Sequence, residues 1–282
     1  MTLTRGYGRS QATLFDDNPE EIFVGIGTLI NHRLPKRPRK HIFGSGCGYG
    51  RRPHVDETFV FHAVRGPDSA RELGLPLDRA ITDPAVLVRT VRPPRTRRPG
   101  HRFGFIPTGE TIDQFDWEQV CARLGILCIS CHGDVDTVLA AMEDCETVLC
   151  EAMHGAIVAD ALRIPWIPVA CSENVLAFKW QDWLSTVGFR YEPSRVQALC
   201  DQSSRLDPRT RWKNTVKQVL RSSQLWSDRW SLPLSPDSSA ADIDRATEQM
   251  LKAAQRPPML SNEATLLRHT ERLEQLLKQL HH

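Results

Sequence analysis

This sequence predicts an α/β fold of two successive parallel units, and three observations carry that prediction. Apolar runs ending in glycine or small polar residues alternate with helix-like segments between residues 22 and 88. The same alternation restarts at residue 103. Between the two lies RTVRPPRTRRPGHR (89–102), with six arginines, three prolines and almost no apolar content, which cannot build a core element.

In the first unit, IFVGIGTLI (22–30) is a nearly continuous apolar run, and Ile42 with FGSGCGYG (43–50) follows the basic connection HRLPKRPRKH (32–41). Both read as buried parallel strands that enter glycine loops. ETFVFHAVRG (57–66) reads as a strand that leads into the helix PDSARELGL (67–75), which has Pro67 at its start and Gly74 at its end. ITDPAVLV (81–88) reads as another short strand beside Asp83.

In the second unit, FGFIPTG (103–109) and ILCIS (126–130) are expected as strands, with DWEQVCARLG (116–125) and DVDTVLAAMEDC (134–145) as helices. TVLCEAMHGAIVADALRIPWIPVA (147–170) then fits strand, tight turn, helix and strand into 24 residues. From about residue 190 the composition turns to helix formers. Candidate helices are RTRWKNTVKQVLRSS (209–223), AADIDRATEQMLKAA (240–254) and the amphipathic EATLLRHTERLEQLLKQL (263–280). The divisions drawn are residues 1–95, 96–190 and a helical region, 191–282. Two α/β units about a hinge suggest an enzyme whose ligand lies between them, at the carboxyl ends of the strands.

A content of 40% hydrophobic and 25% charged residues is that of a globular chain and excludes a fibrous or disordered one. The net charge of +2 is too small to imply nucleic acid. The opening MTLTRGYGRSQATLFDD lacks the apolar core of a secretory signal, and no later run approaches a membrane span, so the expected location is the cytoplasm. The eight cysteines sit mostly in apolar runs, as reduced thiols. Cys128 and Cys131 have CxxC spacing, but only His132 stands near them, so strand-end thiols are expected rather than a metal site.

The segment with most chemistry is the turn after the strand TVLC. It delivers Glu151 and His154 to the start of a helix opened by Gly155, whose first amides suit a carboxylate or phosphate. The local sequence leaves His154 open between a structural and a functional role. Arg65 could hold an anion bidentately or pair with Asp68 or Asp83. Lys179, between Phe178 and Trp180, is either a cation for an anionic donor or a lysine on a helix face. FGSGCGYG puts Tyr49 where a dinucleotide fingerprint needs its third glycine, so NAD is disfavoured.

EAMHGAIVADALRIPWIPV, supported in order by VGIGTLI, FGSGCGYG, VRGPDSARELGLPLDRAITDPAVL, GFIPTGE and FKWQDWLSTVG, resembles the polysaccharide pyruvyl transferases, in particular the succinoglycan-type branch. The resemblance covers roughly residues 21–189. Ala152 stands where many members have arginine, Thr108 where many have histidine, and residues 1–20 give no good match to the family's opening unit, which looks shortened. The resemblance implies two Rossmann-like domains with a central cleft, as in GT-B enzymes. It also implies transfer of the enolpyruvyl group of phosphoenolpyruvate to a sugar of a polysaccharide repeat unit, forming a ketal in exopolysaccharide biosynthesis. His154 would be the catalytic acid, Glu151 its partner or a base, and Arg65, Lys179, Gly155 and Gly46 the donor-binding residues. No metal or cofactor is expected, and phosphoenolpyruvate is the donor. The acceptor would be a lipid-linked saccharide, met at the inner membrane face with weak help from the basic stretch 32–41. A nucleotide-sugar glycosyltransferase on the same plan and a non-catalytic accessory protein stay open as alternatives.

Overall fold

The computed structural model describes residues 20–92, 98–172, 175–201 and 237–280, with the isolated positions 209, 212 and 216. Two all-parallel sheets carry the fold, so the mixed α/β class with Rossmann-like parallel sheets stands. The first has the order β1 (Glu21–Val24), β2 (Arg39–Phe43), β3 (Phe59–Ala63). The strand expected over 22–30 ends early, because Gly27 at φ +121° turns the chain and leaves Ile26 and Leu29 exposed.

The basic connection 32–41 is not all connection: Arg39, Lys40 and His41 form half of β2. Lys40 is buried, its ammonium donating to the carbonyls of Lys36 (3.0 Å) and Pro38 (2.8 Å) and to Thr58 Oγ1 (2.7 Å). It is therefore withdrawn from any basic surface. Helix α1 (Pro67–Leu73) follows β3 and stops at Gly74, as the sequence predicts.

ITDPAVLV is not a strand. Asp83 caps a buried 3-10 turn, Pro84–Leu87, by accepting from the Ala85 amide at 3.0 Å, and helix α2 (Val88–Val91) follows. Proline after the capping aspartate fixes φ for helical entry and offers no ladder donor, which overrides the β-propensity of the valines.

The second sheet holds β4 (His101–Ile106), β5 (Leu127–Cys128), β6 (Cys145–Cys150), β7 (Trp166–Ala170) and β8 (Ser194–Arg195). Their order is β5-β4-β6-β7-β8, a doubly wound arrangement that reverses between β4 and β6. The crossovers carry α3 (Gly109–Gln114), α4 (Glu118–Leu124), α5 (Val135–Glu143), α6 (Met153–Ala161) and α7 (Ala177–Leu184). Asp134 caps α5, and Gly125 ends α4 in the left-handed conformation.

The two C-terminal helices pack into this core. In α8 (Ala240–Ala254), entered through a Ser239–Asp242 capping box, Ala246, Met250 and Ala253 join Phe105, Trp117 and Leu149. In α9 (Glu263–Gln279), Leu266 and Leu273 join the largest core cluster. That cluster also takes Phe43 and Ala63 from the first sheet and Ile106, Cys150 and Trp166 from the second, so one apolar interior runs under both. The helix expected over 209–223 lies outside the described residues, apart from the isolated positions already named. Among the described residues, no helix is long and apolar enough to cross a membrane.

Candidate active site

A doubly wound sheet leaves a crevice where its strand order reverses, outside the carboxyl ends of the strands. Here those are the ends of β4 and β6. Glu151 and His154 come just after β6, and they serve different ends.

Glu151 is buried. Its amide donates to the Ile106 carbonyl at 3.0 Å, Oε2 accepts from the Thr108 amide at 2.9 Å, and Oε1 accepts from the Cys171 amide at 3.0 Å. One carboxylate thus ties together the ends of β4, β6 and β7. This corrects the sequence expectation that Glu151 orients His154: both oxygens are engaged by amides, and its contacts make it a residue that shapes the crevice floor.

His154 is the second residue of α6, and its ring is 43% exposed. Its Nε2 lies 3.4 Å from Oδ2 of Asp83, which is fully buried. The approach has ion-pair distance without hydrogen-bond geometry, and neither of these two buried atoms has a hydrogen-bond partner. Asp83 was missed as a site residue because its segment read as a strand. The legible signal was Asp-Pro, a cap followed by a helical first residue. The α6 N-terminus has no side-chain cap, so its first amides stand beside His154 without one.

Arg65 lies elsewhere and is fully buried. Its Nε donates to Asp182 Oδ2 (3.0 Å), Nη1 to Thr28 Oγ1 (2.7 Å) and Nη2 to the Cys47 carbonyl (2.9 Å). Its ion-pair partner is Asp182 of α7, neither Asp68 nor Asp83. Asp182 accepts further bonds from the amides of Asp68 and Ser69 and from the Ser69 hydroxyl. In this structure Arg65 reaches no open surface, and it locks α7 onto the first sheet.

Two glycines serve that lock. A Cβ on Gly46 would lie 2.3 Å from the Arg65 guanidinium, and one on Gly66 would lie 2.0 Å from the Asp182 carbonyl oxygen. Gly46 thus makes room for Arg65, which explains it without a donor. A Cβ on Gly155 would lie 3.1 Å from Ile106, so Gly155 seats α6 on the end of β4. Lys179 donates to the Tyr49 hydroxyl at 2.9 Å, its ammonium 5.3 Å from the ring centroid at the hydroxyl end. The structure therefore brings His154 together with Asp83 and Gly155, while Arg65 is engaged by Asp182, Thr28 and Cys47, Gly46 lies against Arg65, and Lys179 is engaged by Tyr49.

None of the eight cysteines is in a disulfide. Burial pushes the Cys150 and Cys171 thiols well up, which makes them inert at neutral pH. Among the described residues, no group of three or more His, Cys, Asp or Glu side chains could hold a metal ion.

The class defined so far is a doubly wound α/β protein with a half-open histidine at its switch point, paired with a buried carboxylate from the neighbouring unit. The chain is similar to the succinoglycan biosynthesis protein ExoV of Rhizobium meliloti (strain 1021), at 36% identity over 181 residues, which cover 63% of this chain and 57% of that protein. This match supports the succinoglycan-type resemblance drawn from the motifs, and the chain spans little more than half of that relative's length. No family model matches the chain, and no solved structure matches it.

Proposed function

We propose that this chain is a transferase of exopolysaccharide biosynthesis that converts two hydroxyls of a sugar and phosphoenolpyruvate into a pyruvyl ketal and phosphate. The observation that carries the reading is the pairing of His154 with buried Asp83 at the switch point, in a chain similar to a succinoglycan biosynthesis protein.

The chemistry follows from which atoms are free. With Nε2 facing Asp83, Nδ1 is the ring nitrogen left for substrate. It protonates the vinyl CH2 to a methyl group while the first sugar hydroxyl adds to the adjacent carbon and passes its own proton to the vacated Nδ1. The C–O bond to phosphate then breaks, the second hydroxyl adds in its place, and the second hydroxyl proton leaves with the phosphate. Asp83 compensates the charge on the ring as it carries a proton, and holds its orientation. The uncapped amides of α6 receive the donor's phosphate or carboxylate. The acceptor on this reading is a lipid-linked saccharide met at the cytoplasmic membrane face.

The test is ketal formation from phosphoenolpyruvate on a depyruvylated oligosaccharide by the wild type and by His154→Ala. Turnover in the wild type with a loss of about 10²–10⁴-fold in the variant supports the reading. Undiminished turnover in the variant removes His154 from the mechanism, and no ketal from a folded wild type removes the activity.

A further inference from the structure

A cavity of about 330 Å³ opens at the carboxyl end of the first sheet, and neither His154 nor Asp83 lines it. Its walls are of two kinds. Tyr49, Phe178 and Ile30 make it apolar on one side, while Arg52 and Glu72 line it with a polar pair joined at 2.6 Å. That pair is about half exposed, at 57% and 51%, so its remaining donors and acceptors are open to a ligand.

Tyr49 is held as a platform. The Lys179 ammonium fixes its hydroxyl at 2.9 Å, beyond the edge of the ring and 5.3 Å from its centroid, and the tyrosine is still 45% exposed. An aromatic plane beside a donor fork and a carboxylate suits a ring with apolar C–H faces and neighbouring hydroxyls that each donate and accept. A sugar has that chemistry. Arg51 and Arg52 outnumber Glu72 in the wall, so inorganic phosphate is the competing ligand, and its binding is measured beside the sugar's. Cys47, also in the wall, has its thiol pushed up to about 11, mainly by burial, and offers no nucleophile at neutral pH.

The loop that forms this cavity also runs to the His154 site. Gly44 lies against Pro84, where a Cβ would come within 2.4 Å of the proline ring, and Pro84 is adjacent to Asp83. From Gly44 to Tyr49 the backbone spans at most about 18 Å. We propose that the Tyr49–Phe178–Arg52–Glu72 cavity binds a saccharide unit of the acceptor, a subsite separate from the unit that reacts at His154. The assignment to an acceptor rests on the proposed pyruvyl transfer, and saccharide binding as such does not. The subsite favours an oligosaccharide over a monosaccharide, because one sugar cannot occupy both places.

The experiment is calorimetric titration of the full chain with an oligosaccharide released from succinoglycan and freed of its ketals by mild acid. Wild type, Tyr49→Ala, Glu72→Gln and, as a control on the exposed face of α8, Lys252→Ala are compared, each checked by its melting temperature. The wild type and Lys252→Ala should bind alike, while Tyr49→Ala and Glu72→Gln weaken binding about tenfold or more. Wild-type affinity in both cavity variants overturns the proposal, as does an absence of oligosaccharide binding. Inorganic phosphate binding that Tyr49→Ala weakens, without oligosaccharide binding, makes the cavity an anion site and also overturns it. Binding that depends on Tyr49 in a chain that forms no ketal leaves the subsite standing and removes the pyruvyl transfer, so the two failures are distinguishable.

Discussion

Arg65–Asp182 and His154–Asp83 each set a nitrogen base against a carboxylate, and each joins the first unit to an element of the second. In the former both side chains are wholly buried, and Asp182 accepts from Arg65, two amides and a hydroxyl. In the latter the carboxylate is equally buried, but its Oδ2 and the facing Nε2 lack hydrogen bonds, and the imidazole is open. A network satisfied on every side is committed to holding the fold. A buried oxygen left without a hydrogen bond beside an accessible titratable ring is a cost the fold does not need, and such costs gather at working sites.

The comparison predicts its largest effect at Asp182. Asp182→Ala leaves the Arg65 guanidinium buried without its counter-charge and strips the α1 amides of their acceptor, so urea unfolding should show a loss of about 3–5 kcal/mol. Replacing both partners, Arg65→Met with Asp182→Leu, should recover part of that loss, since no charge is then buried alone. A loss under about 1 kcal/mol in the single variant would break the contrast.

At the other pair the effects should exchange places. His154→Ala should alter stability by no more than about 0.5 kcal/mol, because its Nε2 makes no hydrogen bond and its ring is half open. The loss should appear in turnover instead. Asp83→Asn keeps an oxygen for the Ala85 amide but removes the charge that faces His154. It should lower kcat less than His154→Ala does, with a melting temperature close to wild type. Asp83→Ala also loses the cap and should cost about 0.5–2 kcal/mol more. Equal turnover in Asp83→Asn and wild type would reduce Asp83 to a cap.

Much of this fold was legible because local signals agreed with the tertiary outcome. Pro67 and Gly74 bound α1, Asp134 and Gly125 mark helix ends in the second unit, and residues 240–254 form a helix as read. Misreadings arose where one pattern suits two structures. Valine-rich ITDPAVLV satisfies a strand template and a buried turn equally, and only Asp-Pro decides between them. His154 was visible as a strand-end residue, but its partner was not: Asp83 is 71 positions away, and nothing local says which carboxylate a fold brings to a histidine. The burial of Arg65 was hidden for the same reason, since its partner Asp182 is 117 positions away. Glu151, three residues before His154, looked like its partner, yet the strand geometry turns it down to three chain ends.

A third polar pair gives the smallest effect and a sharper form of the same contrast. His41 Nδ1 and His62 Nε2 meet at 3.0 Å across β2 and β3, with rings 5.3 Å apart and nearly parallel at 7°. Burial, then the charges of His41, Arg79 and Arg39, hold the His62 pKa below its usual 6.5. Burial likewise depresses His269, whose Nε2 meets the Thr186 carbonyl at 2.8 Å. As pH falls through 6.5 the unfolded chain takes up these protons first, so stability is full above that value and declines towards the lowered folded values. Urea midpoints measured from pH 7.5 to 5 should fall with acidity below about 6.5. The decline should be shallower in His62→Gln, and shallower again with His269→Gln added. A slope unchanged by both substitutions would mean that the acid sensitivity resides elsewhere, and that the histidine pair between β2 and β3 is as indifferent to its protons as a fully satisfied network would be.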